Sequence, residues 1–207
     1  MGTGCRTGAG SVRPTRRGAR VLSAALVVTG LAVAAPKLLE NVPLQWRATS
    51  ELRLGAVQMA ATPIQFEMFQ DKRPQPDRIG ENLEDDKPKP VTTADDVGAF
   101  VGTHMRELFR QAGLNTVDSN GGVIIRGEVT QFFVRETSTY HAEVAVHLSV
   151  VGADGAKRWS GTATGDAARF GRSYKLENYY EVLSDAVVNA TSSMLQSAEF
   201  QRALGAP

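Results

Sequence analysis

The sequence predicts an α+β domain: a strand, a helix, three strands and a helix, the sheet mainly antiparallel with the helices packed on one face. Three observations carry that expectation. Residues 140–151 alternate cleanly, Ala142, Val144, Val146, Leu148 and Val150 against His141, Glu143, Ala145, His147 and Ser149. A period of two with one apolar row marks a strand buried on one face only. Two other stretches, around 97–109 and 179–194, repeat apolar residues at helical spacing. Strands with one apolar row and helices with one apolar stripe bury each other as two layers around a core.

The first strand and first helix come early in the chain. Leu52, Leu54 and Ala56 alternate from Glu51, and Ile64, Phe66 and Met68 resume the alternation after Pro63, which predicts the first strand. From Gln70 to Pro90, prolines at 74, 76, 88 and 90 accompany Gly80 and many charges, so a long polar loop is expected. Thr92 and Thr93 then precede Asp95 and Asp96 at capping-box spacing. Val97, Phe100, Val101, Met105, Leu108 and Phe109 supply the stripe of a helix over 94–112, and Gly113 with Leu114 suits its C-terminal turn.

Val123, Ile125, Gly127 and Val129 begin the second strand, with Phe132-Phe133-Val134 continuing the run. The third is 140–151. After the Asp154-Gly155 turn, Trp159, Gly161, Ala163 and Gly165 form the inner row of the last. Asn178 with Glu181 predicts the start of the final helix, striped by Tyr179, Tyr180, Leu183, Ala186, Val187, Ala190 and Met194. A short apolar tail reaches Phe200 and Leu204.

The front of the chain is of another kind. Arg6, Arg13, Arg16, Arg17 and Arg20, with no acidic residue, precede the uncharged run Val21–Ala35. A basic region, a short apolar region and the small-residue exit Ala32-Val33-Ala34 form the layout of an export signal. The arginines stay on the cytoplasmic side, so the remainder of the chain is carried outward. The run is shorter than the ~20 residues a membrane-spanning helix needs. Cleavage after Ala34 or Ala35 is therefore the preferred expectation, with an uncleaved signal anchor as the alternative. Residues 1–35 are thus signal peptide or signal anchor, 36–50 a tether, and 51–205 a single α+β envelope domain.

Without those five arginines the chain holds 18 basic and 22 acidic residues, a net charge of −4. Such a surface argues against a nucleic-acid partner. Cys5 is the single cysteine and precedes the apolar run, so the exported part has neither disulfide nor thiol nucleophile. It must fold on its apolar core.

Several local patterns gain weight together. Phe69-Gln70-Asp71-Lys72-Arg73 and Asp77-Arg78-Ile79-Gly80 resemble the first-strand exit of the YajG-like lipoproteins of the bacterial cell envelope. Gly127-Glu128-Val129 with Phe132, Trp159-Ser160-Gly161, Gly171-Arg172-Ser173, Glu177-Asn178-Tyr179 and Leu183-Ser184-Asp185-Ala186 fit the same family in order and spacing. The resemblance spans residues 64–200 and implies a periplasm-facing protein, usually tethered to the outer membrane, with no established activity. Members carry a lipobox cysteine and this chain does not. That leaves a soluble periplasmic form, or membrane attachment only through an uncleaved N-terminal helix.

Residues able to carry chemistry are few. His141 and His147 share a strand face but stand ~20 Å apart at strand rise, too far for one ion. His104 is alone on a helix. Ser160, Ser173 and Ser184 lack a nucleophile elbow, and the acidic run Glu81, Glu84, Asp85 and Asp86 lacks calcium-loop spacing. No catalytic residue, metal ligand or cofactor is expected. The candidate contact surface is Asp71, Arg73, Asp77, Arg78, Arg172 and Ser173. Its plain reading is a loop ordered by ion pairs, with Arg172 bridging to a carboxylate of the Asp71 loop.

The function expected is that of a non-enzymatic accessory protein, facing the periplasm and binding an envelope protein or cell-wall component. The alternative is a ligand-binding or enzymatic domain acting on peptidoglycan or lipid, anchored by Asp71, Arg73 and Arg172. A deep pocket on those residues favours the alternative and a shallow, ion-paired cluster the accessory role.

Overall fold

The structure, a computed structural model, describes Met1 and residues 39–54 and 62–205. The arginine cluster, Val21–Ala35, Cys5 and Ala56 lie outside the described residues. The chain divides at Ala35 into two units, and the second, Pro36–Pro207, holds every described strand and helix. No helix among the described residues is long and apolar enough to cross a membrane.

The sheet is α+β in kind, as expected, but mixed rather than mainly antiparallel. Its spine is a meander of three fourteen-residue strands, β6 (Val123–Glu136), β7 (Thr139–Gly152) and β8 (Lys157–Phe170), each antiparallel to the next. On the other side of β6 lie β1 (Ile64–Phe66), β2 (Gln70–Asp71) and β3 (Arg78–Asn82), all parallel to it and placed end to end along its length. β4 (Lys89–Thr92) pairs with β3, and β5 (Thr116–Val117) with β1. The Gln70–Pro90 stretch is thus no continuous loop. Its strands are too short to show a period, and they form because β6, far along the chain, supplies their partners. Ile79 is buried within that stretch, and Val91 just past its end.

The helices α1 (Val97–Gln111) and α2 (Leu176–Leu195) cover one face of the sheet, and α3 (Ala198–Ala203) closes one end. Asp96, not Thr92 or Thr93, caps α1: its carboxylate accepts the Ala99 N–H at 2.9 Å. The threonines are taken, Thr92 by β4 and Thr93 by its N–H bond to the Asp77 carbonyl. At the other end Gly113 has φ 83°, and the N–H groups of Gly113 and Leu114 return to Arg110 and Phe109, a Schellman turn as the sequence implied. α2 begins before Asn178. The N–H of Lys175, the residue before the helix, donates to the Tyr140 hydroxyl at 3.1 Å, while the Asn178 amide donates back to the Arg172 carbonyl.

The alternation in β7 and β8 falls as read, with Ala142 to Val150 buried and the inner row of β8 turned toward α2. At Gly165 the helix backbone lies against the strand: a Cβ there would collide with the Ala186 carbonyl and the Ala190 nitrogen. β6 contains a bulge between Val129 and Gln131. It turns two successive residues outward, so the buried row passes from Val129 to Phe132 and Val134 while Phe133 faces out. Met68, expected inward, is 78% exposed because the chain leaves the sheet after Phe66. Phe69 enters the core instead, packed on Gly102 and Gly127.

Residues 39–54 are not a free tether, and Leu52 and Leu54 are not in a strand. Leu39 bridges to Val91, Val42 N bonds to Thr92 O, and the segment then runs extended along α2. Side chains of α2 hold it: Ser184 Oγ accepts from Arg47 N at 2.9 Å, and Ser192 Oγ from Arg53 N at 3.1 Å. Asp185 accepts from Thr49 N, Ser50 N and Thr49 Oγ1 at 2.6–2.7 Å. An extended segment with no strand beside it must find acceptors elsewhere, and these three polar residues supply them.

Candidate contact surface around Arg73

Between β2 and β3 the chain arches off the sheet, leaving part of β6 without a strand neighbour. Arg73 fills the gap. Its Nε and Nη2 grip Asp71, at 2.9 and 2.7 Å, and Nη1 donates to the carbonyls of Arg78 at 2.7 Å and Phe132 at 3.3 Å. Nη2 also reaches the Pro76 carbonyl. The guanidinium therefore stands where strand N–H groups would, satisfying the β6 edge and fixing the arch around itself. Its side chain is only 5% exposed. A buried arginine whose donors are turned to its own loop is a structural clamp. Asp77 contributes its carbonyl, accepting from Thr93 N at 2.8 Å.

Beside the clamp lies a groove of about 220 Å³, lined by Arg73, Arg78, Gln75, Gln131, Phe133 and Arg135. Arg78 and Arg135 lie over the Phe133 ring, 5.6 and 5.7 Å from its centre. Arg78 pairs with Glu81 at 2.7 Å, and Arg135 with Glu143 at 3.2 Å. Sequence reading singled out Arg78 but missed Phe133 and Arg135. The signal was the Phe132-Phe133-Val134 run, whose three consecutive apolar residues break strict alternation and mark the bulge.

Arg172 and Ser173 do not join this group. Ser173 Oγ accepts from Asn82 Nδ2 at 3.2 Å, at the far end of β3, and Arg172 is exposed with its carbonyl taken by the Tyr140 hydroxyl at 2.5 Å. The expected bridge from Arg172 to the Asp71 loop is absent, since Arg73 already occupies that carboxylate. The loop at 171–175 is organised instead by Glu136, which is fully buried and was not anticipated. Its carboxylate accepts from Tyr174 N at 2.7 Å and from the Tyr179 hydroxyl. That contact holds Tyr174 at φ 57°. Burial, and then the bond to Glu136, push the Tyr179 phenol far above its ordinary value, and burial raises Tyr140 to about 12. Both phenols stay protonated donors at any ordinary pH.

The histidines are dispersed. His147 lies on the open sheet face with Ser160 Oγ at 3.1 Å and Thr162 Oγ1 at 3.4 Å. His141 stands 3.9 Å from Glu143. His104 stacks on Trp46 of the extended segment 39–54, the strap along α2, ring centres 4.2 Å apart, and burial pulls its pKa down. Among the described residues no group of three or more His, Cys, Asp or Glu could hold a metal ion.

No family model and no curated protein matches the chain. Solved structures do match. A protein from Xanthomonas campestris, described by the family model DUF330, superposes with a TM-score of 0.55 at 11% identity, over 75% of this chain and 94% of its own. At that identity the likeness shows a shared α+β fold. PelC of Paraburkholderia phytofirmans, in a dodecamer, matches at TM-score 0.43 and 14% identity over 70% of this chain and 96% of its own. Lipoprotein GNA1162 of Neisseria meningitidis matches at 0.29 and 13%, over 54% and 88%. At such scores neither bears on the role of this chain.

Proposed function

We propose that this chain is a non-enzymatic accessory protein of the bacterial cell envelope, of the YajG-like kind, facing the periplasm and acting by binding another envelope component. The observation that carries the reading is the chemistry of the candidate cluster. Arg73, the best-placed anchor for a substrate, spends its donors on Asp71 and three carbonyls of its own fold. Arg172 lies elsewhere, so the three anchors of a peptidoglycan or lipid site do not converge. What remains beside them is a shallow, ion-paired surface, suited to contact rather than turnover. The basic, apolar and small-residue layout of residues 1–35 supports export.

Affinity capture of the tagged chain from crosslinked envelopes tests this. Reproducible recovery of one envelope protein or cell-wall fragment is the expected outcome. Recovery of nothing above an untagged control refutes it, and so does a C-terminal reporter that behaves as cytoplasmic.

A further inference from the structure

The groove beside Arg73 has features the clamp does not use. Arg78 and Arg135 both lie over the Phe133 ring, which leaves their N–H edges as the groups able to bond. Each guanidinium carries five N–H donors. Arg78 commits one nitrogen to Glu81 and another, at 3.4 Å, to the exposed Gln75, while its Nε is sealed from solvent without an acceptor. Arg135 makes one hydrogen bond, to Glu143, and lies 3.9 Å from Glu81. Leaving the sealed Nε aside, the remaining N–H groups of the two guanidiniums outnumber the acceptors they have. The bulge is what turns Gln131 and Phe133 outward to line this place.

We propose that this groove receives a carboxylate of an acidic peptide segment, held between the guanidinium groups of Arg78 and Arg135 over Phe133. The inference rests on the accessory-protein reading and names the chemistry of its partner. A carboxylate suits the fork of an arginine and fits a volume of about 220 Å³, which is below the ~300 Å³ at which drug-sized ligand pockets begin. Glu81 and Glu143 at the rim oppose a doubly charged phosphate more than a single carboxylate. Gln75 and Gln131 line the same groove and bring side-chain amides to it.

The test is fluorescence anisotropy on the full chain with a labelled hexaglutamate peptide, using hexaglutamine and hexalysine as controls and inorganic phosphate as competitor. Saturable binding of hexaglutamate alone is expected, weakened at least about tenfold by R78Q/R135Q and strengthened by E143Q. The exposed single substitution R135Q, checked by its melting curve, guards against a folding defect in the double variant. Absence of saturable binding, an unchanged affinity in both variants, or displacement by phosphate at peptide-like concentrations overturns the proposal. The two readings fail separately: a crosslinked partner still captured by R78Q/R135Q removes the groove and leaves the accessory role.

Discussion

β6, β7 and β8 run fourteen residues each and pair in chain order through short turns, whereas β1 to β5 run two to five residues and pair across loops, a helix or both. The first group rests on backbone ladders and a continuous apolar row. The second, with the strap at 39–54, depends on side chains that supply what a ladder lacks: Arg73 at the β6 gap, and Ser184, Asp185 and Ser192 along α2. Long local strands carry their own hydrogen-bond partners. Short non-local ones borrow theirs, and each borrowed contact concentrates stability in a single residue.

The sharpest way to break that contrast is to lift α2 off the meander. Gly165→Val drives a side chain into the Ala186 and Ala190 backbone, and a loss of about 4 kcal/mol or an unfolded product is expected in urea denaturation. Arg73→Ala comes next. It strands Asp71 and the Phe132 carbonyl, costing about 3 kcal/mol, and amide exchange at 131–134 should rise while 142–150 stays protected. Asp185→Ala removes three bonds to the strap for about 2 kcal/mol, and limited proteolysis should then cut within 45–54 before any other segment.

A smaller effect belongs to His104. Burial lowers its folded pKa below the ordinary 6.5, so the unfolded chain binds the proton more readily. Stability therefore falls as pH drops from about 6.5 toward the lowered value and is flat below it. His104→Phe, which keeps the stack on Trp46, should flatten that part of the urea-midpoint profile; an unaltered slope rejects the assignment. Smallest of all is Arg126→Ala. Its pair with Glu67 is exposed, and no resolvable change in midpoint is expected.

Parts of the molecule were legible because their information is local. The apolar row Ala142–Val150, the α1 stripe with Gly113 beyond it, and the α2 stripe from Tyr179 to Met194 come from periods that neighbours in sequence impose. In the arch, the Asp71–Arg73 pair agrees with the plain reading of a loop ordered by ion pairs, whereas Asp77 contributes only its carbonyl. Arg172 and Ser173, grouped with them by sequence, lie at the far end of β3, a separation that no local pattern reveals. In sequence a carboxylate at the end of a strand reads as solvent-facing, and Glu136 is buried only because Tyr174 and Tyr179 close around it.

The strap teaches the same lesson from the other side. Residues 36–50 carry two prolines and no period, hence the tether reading, and the Ser184-Asp185 pair inside an apolar helix was the single local hint that something polar lies there. By itself, then, the sequence determined the α+β class, the meander and the two helical stripes, since alternation and helical spacing are properties of adjacent residues. The tertiary structure alone decided the parallel strands along β6, the clamp at Arg73 and the docked strap. Those depend on which distant backbone groups are left without a partner, and that is known only once the chain has closed on itself.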